Sequence, residues 1–208
     1  MRPLRLLWAP VALLLALATA VPLHAHPASQ LSEDQLRVML PSAAEVGSGL
    51  QPEPRFSGPV SLAGVQGQMA SFVSPALGGD LARLPALPDG SIYMVSSQVL
   101  TLPGVEPSPQ ILDGMARGAE MGASLGSGPD TTVDPAVDLP APPIGQDSRG
   151  MALRTHASDG TATTAVLLFR RGSVYGYVGV TAVGEAPPVQ EALRLAQLVD
   201  GRLAAAGE

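Results

Sequence analysis

Two short turn signals near the C-terminus, Asp159-Gly160 and Arg171-Gly172, separate three apolar runs and leave that part of the chain little alternative to an antiparallel meander. A two-residue hairpin loop needs positive φ, which glycine adopts without strain. The runs 149–156, 161–170 and 173–181 therefore read as three consecutive strands. Along the third, Val174, Val178 and Val180 share one face, while Ser173, Tyr175, Tyr177 and Thr181 share the other. Pro187 and Pro188 then open a closing helix over about 187–205. Its apolar side carries Val189, Ala192, Leu193, Ala196, Val199 and Leu203, and its polar side Gln190, Glu191, Arg194 and Gln197. That helix is expected to pack on the meander.

Upstream the signals are local. Ser32 is an N-cap, Gln35 completes a capping box, and Leu31 can staple onto Leu36, so a helix is expected over 32–40, ended by Pro41. Residues 42–46 read as a further short helical turn. Between 51 and 90, six prolines (52, 54, 59, 75, 85 and 88) interrupt any period, and irregular loop is expected there, with one strand near Val60 and one short helix near Leu81. Ile92, Tyr93, Met94, Val95, Val99 and Leu100 mark a strand over 91–102. Ser108 and Pro109 open a helix over 109–121, with Ile111, Leu112, Met115 and Ala119 on one face. Gly114 and Gly118 each weaken it by about 1 kcal/mol relative to Ala. Their spacing of four would let another backbone come close, which predicts a helix lying tight on a sheet. Residues 122–146 read as a long loop rich in Gly, Pro and Asp. The fold class is therefore α+β: a small antiparallel sheet covered by helices, in one domain over 30–206.

The N-terminus reads as an export signal. Arg2 and Arg5 precede an almost wholly apolar stretch, 6–20, that is short for a membrane span. Ala18-Thr19-Ala20 fits a small-x-small cleavage site, and Leu23-His24-Ala25 offers a second, so the signal is 1–20 or 1–25. No cysteine is present, which excludes a disulfide framework, a lipid-bearing cysteine and any cysteine metal site. No later stretch reaches membrane-spanning length. The expected product is free in the periplasm, the envelope space or the medium. Cleavage removes two of the twelve basic residues and none of the eighteen acidic ones, so the formal charge of −6 becomes −8. An acidic chain without a basic cluster disfavours nucleic acid and anionic lipid as partners.

Four sets of residues can be weighed for chemistry. Gly122-Ala123-Ser124-Leu125-Gly126 matches the nucleophile-elbow pattern, and Asp130, Asp134 or Asp138 followed by His156 keeps the hydrolase order. The elbow needs a strand before it and a helix after it, whereas here a helix precedes and Gly-Ser-Gly-Pro follows. Ser124 is therefore expected at a helix end and loop. His24 and His26 lie at the cleavage site; cleavage after Ala25 would give His26 a terminal amine and an imidazole for a metal. His24-Ala25-His26 resembles the mature start of periplasmic copper carriers and copper-dependent polysaccharide oxygenases, and His156 is the one remaining histidine to complete such a site. Asp130, Asp134 and Asp138 are spaced by four, unlike a calcium loop. Arg170 and Arg171, at a hairpin tip, can grip a carboxylate or phosphate, or simply lie in solvent. No resident cofactor is expected.

Over roughly 90–205 the order of elements resembles exported sensor-like and lipoprotein-like domains of high-GC bacteria. The features are the strand at 92–102, the helix at 109–121, the Pro-rich loop leading to Ile144-Gly145, Val166-Leu167-Leu168-Phe169 running into Arg170-Arg171-Gly172, and a last helix with Ala192-Leu193 and Leu195-Ala196. That resemblance implies binding of a ligand or protein partner at the cell envelope, without catalysis. The expected function is accordingly an exported accessory domain with a cleft between the sheet and the helix over 109–121. Metal carriage through His26 and serine hydrolysis through Ser124 are its rivals.

Overall fold

The computed structural model describes residues 31–62, 64–77, 84–126 and 130–207. The expected export signal, His24, His26 and the short helix expected near Leu81 lie outside the described residues. The described chain forms four α-helices, α1 (Glu33–Met39), α2 (Ala43–Val46), α3 (Gln110–Gly126) and α4 (Val189–Ala205). Its strands are β1 (Gln51–Pro52), β2 (Gly58–Leu62), β3 (Val65–Val73), β4 (Ile92–Thr101), β5 (Thr132–Val133), β6 (Val137–Leu139), β7 (Asp147–Ala157), β8 (Gly160–Arg171) and β9 (Val174–Val183). All pair antiparallel in one sheet, ordered β1-β3-β4-β9-β8-β7-β5, with β2 also on β3 and β6 also on β7. The α+β class and the helix-covered antiparallel sheet are as the sequence predicts.

Both faces of the sheet are covered. On one, α1, α2 and α4 close over Phe72, Val95, Val99, Leu167, Phe169, Val174, Val178 and Val180. Leu195, Ala196, Val199 and Leu203 of α4 are fully buried there, each of the larger ones contributing roughly 1.5–3 kcal/mol of transfer free energy. On the other face α3 lays Ile111, Leu112, Met115, Ala116 and Ala119 against Leu100, Met151, Leu153, Val166, Leu168, Tyr175 and Tyr177. β9 lies between the two layers and is buried almost throughout. Two glycines make that possible: a methyl at Gly176 would collide with the Phe169 ring, and one at Gly179 would stand 2.6 Å from the Tyr177 hydroxyl.

The local signals hold where side chains satisfy backbone. Ser32 and Gln35 form the capping box, with Ser32 donating its N–H to Gln35 Oε1 at 2.8 Å and Gln35 donating its own to Ser32 Oγ at 3.3 Å. The valine and tyrosine faces of β9 are those the alternation predicts. Several expectations are corrected. The strand expected near Val60 is β2, but the stretch after Gln51 is not otherwise mainly loop: β1 and β3 lie there too, because its prolines sit at strand ends, in a 3-10 turn and on the edge strand β2. The meander loops are Ser158-Asp159 and Gly172-Ser173, each one residue from the expected place, since Ala157 pairs with Gly160 and Arg171 with Val174. The long loop carries β5 and β6, which lengthen the sheet edge beside β7. Gly114 does not face a close neighbour, for a Cβ there would meet nothing within 4 Å.

Candidate functional site

The start of α3 is held to the sheet by a long-range contact. Tyr175, on β9, accepts the Ser108 N–H on its hydroxyl at 2.9 Å and donates back to the Ser108 carbonyl at 3.3 Å. Ser108 in turn accepts the Gln110 N–H at 3.2 Å and hydrogen-bonds the Gln110 side chain, so the N-cap read from the sequence is occupied. Burial pushes the Tyr175 phenol up, partly opposed by its bond to the Ser108 backbone, so it stays neutral and keeps its proton to donate.

This anchoring leaves an open cleft of about 490 Å³ between the first turns of α3 and the β6–β7 edge. Gln110, Leu112 and Asp113 form one wall, Asp138 and Leu139 the other, with Ser148 and Arg149 on the floor. The register explains the floor: Arg149, opposite Leu168, points to the same face as Met151 and Leu153, toward α3. Its guanidinium donates to Asp113 at 2.5 Å and to Asp138 at 3.2 Å. Burial alone would lower the Arg149 pKa, but the bonds to Asp138 and Asp113 outweigh it and raise it. The side chain of Arg149 is 36% exposed, against 50% for Asp113 and 78% for Asp138. The cleft thus presents one cation flanked by carboxylates that a ligand can reach. Arg149 was not singled out in the sequence, where it is one arginine at the start of a strand; only the pairing with β6 and the packing of α3 make it a site.

Arg170 and Arg171 are not free at a hairpin tip. Arg170 donates to Asp147 at 2.7 Å and to Gln146 Oε1 at 2.9 Å, and Arg171 forks onto Asp200 of α4 at 2.5 and 2.8 Å. They point to opposite faces of β8, as neighbours on a strand must. Either would have to release an internal carboxylate to take a ligand.

The hydrolase set is only partly assembled. Asp134 and His156 meet, Nε2 to Oδ2 at 3.0 Å, because β5 pairs with the end of β7. The other ring nitrogen lies 3.1 Å from the Thr161 hydroxyl on the facing strand, so the hydroxyl beside this imidazole is Thr161. Ser124, expected at a helix end and loop, lies in the last turn of α3, exposed, and donates to the Glu120 carbonyl at 3.1 Å. The reason is that the helix runs five residues beyond Met121 and takes the G-x-S-x-G string into its last turns. Asp138 faces Arg149, and Asp130 lies exposed in a turn. Among the described residues no three His, Asp or Glu side chains stand close enough to hold a metal ion. Among them too, no helix is long and apolar enough to cross a membrane.

No protein family and no curated protein matches the sequence. Among solved structures the chain is similar to the extracellular domain of PknH from Mycobacterium tuberculosis, with a TM-score of 0.44 and 13% identity over 84% of this chain and 97% of that one.

Proposed function

We propose that the chain is an exported binding or accessory domain, without catalysis, that works at or outside the cell envelope and takes its ligand in the cleft between α3 and the β6–β7 edge. The observation that carries this reading is the cleft itself, about 490 Å³ and open, with Arg149 held between Asp113 and Asp138 on its floor. A paired but half-exposed guanidinium and its two carboxylates can exchange one internal partner for a ligand group. The sequence supports export through its first 20 or 25 residues.

Purified protein titrated with fractionated cell-envelope extract should retain a component that Arg149→Ala retains at least tenfold more weakly. Equal retention by the variant, or hydrolytic or redox turnover by the wild type, would overturn the reading. Mass spectrometry of the exported protein reports the cleavage site. A chain starting at Val21 leaves His26 internal and removes the terminal metal site; a chain starting at His26 keeps it.

A further inference from the structure

A second polar feature lies on the α3-side face of the sheet and shares no residue with the cleft. Ser71 of β3 stands opposite Ser96 of β4, Gln98 of β4 opposite Tyr177 of β9, and Thr181 of β9 opposite Thr164 of β8. Alternation places all six side chains on one face. They form a polar strip across four adjacent strands, between the apolar cluster under α3 and a smaller one of Leu77, Tyr93 and Ala162. No charged residue occupies positions 94–100, 175–181 or 162–168 of those strands.

Part of the strip is internally satisfied and part is not. Thr164 and Thr181 share a hydrogen bond at 3.0 Å. Burial raises the Tyr177 phenol, partly offset by its hydrogen bond with Ser96, to about 12, so it is a neutral group here. Gln98 is fully buried and spends its Nε2 on the Met69 sulfur at 3.3 Å, a weak acceptor. Gln98 Oε1 and the Ser71 hydroxyl, the latter on a residue 2% exposed, have no hydrogen-bond partner among the described residues. Buried polar atoms are nearly always paired, and each exception calls for a reason. At the rim of the strip Met69, Val73, Met94 and Thr164 are half-buried. Methionine at such a rim repacks readily around different shapes.

We propose that this strip is the floor of a second binding site, for an uncharged ligand that carries a hydroxyl or amide group on an apolar body. Gln98 Oε1 and the Ser71 hydroxyl are wholly buried, so the rim methionines must move aside to admit the ligand; its hydroxyl then donates to Gln98 Oε1 and accepts from Ser71, while the methionines repack over the apolar body. A charged group is excluded, because the strip offers no counter-ion and burial would strip its water.

Hexan-1-ol serves as the probe, with hexanoate as the charged control, read by NMR of protein carrying ¹³C-methyl methionine. Saturable shifts of the Met69 and Met94 signals are expected with the alcohol, none at Met39 or Met121, and none with hexanoate. Gln98→Leu should weaken the alcohol response at least tenfold and, by removing an orphan acceptor, raise the melting temperature. Ser71→Ala, the smaller change, should weaken it several-fold in a chain that folds as the wild type does. An equal response to hexanoate, undiminished binding by both variants, or a crystal structure grown with the alcohol that shows only ordered water against Gln98 overturns the proposal.

Discussion

The Tyr175 hydroxyl takes the N–H of Ser108 at 2.9 Å and returns its proton to the carbonyl of the same residue at 3.3 Å. This one side chain thereby joins the middle of the sheet to the residue that caps α3, across 67 positions of sequence. It also sets one wall of the Arg149 cleft, since Gln110 and Asp113 follow directly. Tyr175→Phe should leave the ring's packing intact and cost about 0.5–1.5 kcal/mol for the lost hydrogen bond to the half-buried Ser108. Urea unfolding measures it. A cost near zero would mean that α3 is seated by its apolar face alone.

Arg171 and Asp200 clamp β8 to α4 with two parallel hydrogen bonds, and both side chains are mostly buried, at 24% and 13% exposed. The Arg171 fork holds the Asp200 carboxyl below its ordinary range. Removing one partner leaves the other charge half-buried, so Arg171→Ala and Asp200→Asn are each expected to destabilise by about 1–3 kcal/mol. The double variant should cost less than their sum, and a double-mutant cycle in urea gives the coupling.

Stability should fall with acidification in a window set by Glu45. Ser42 gives this carboxylate its N–H at 2.8 Å and its hydroxyl at 2.7 Å, and Arg202 gives it a further contact at 2.5 Å. Those bonds, the Ser42 backbone first, lower its pKa from 4.5 to about 2. A depressed folded-state pKa means that the contribution is complete above the unfolded value and is lost as pH falls from about 4.5 toward 2. Asp200, lowered in the same direction, adds to the loss. In urea melts taken between pH 5 and pH 2, Glu45→Gln should start less stable than the wild type and lose less. Parallel curves would assign the acid sensitivity elsewhere.

Two glycines should respond oppositely to the same substitution. A Cβ at Gly114 meets nothing within 4 Å, and the residue is helical, so Gly114→Ala should stabilise by about 0.5–1 kcal/mol. At Gly176 the Phe169 ring occupies the space a methyl would need, so Gly176→Ala should destabilise by about 1–3 kcal/mol or more. Thermal melts of both variants test this directly, and the same sign for the two would contradict the packing described.

The sequence by itself determined what depends on near neighbours. Capping at Ser32, the period of α4, the alternation along β9 and, to within one residue, the turns of the meander all follow from side chains within a few residues of one another. The α+β class was legible for that reason, as was the helix that borders the cleft. Hydrogen bonds and register across the sheet were not, because they join residues far apart in the chain. Between 51 and 73 only a strand near Val60 was legible, since nothing local told that β3 would form and accept β1 and β2 along its edge. Only the pairing of β6 with β7 set Asp138 beside Arg149, and only the seating of α3 brought Asp113 to the same guanidinium. Likewise His156, Arg170 and Arg171 could be named from their types, but the tertiary structure chose Asp134 from the three aspartates offered to His156, and Asp147 and Asp200 as partners of the arginines. A charged side chain takes whichever opposite charge the fold brings within about 3 Å, and no spacing along the chain encodes that distance.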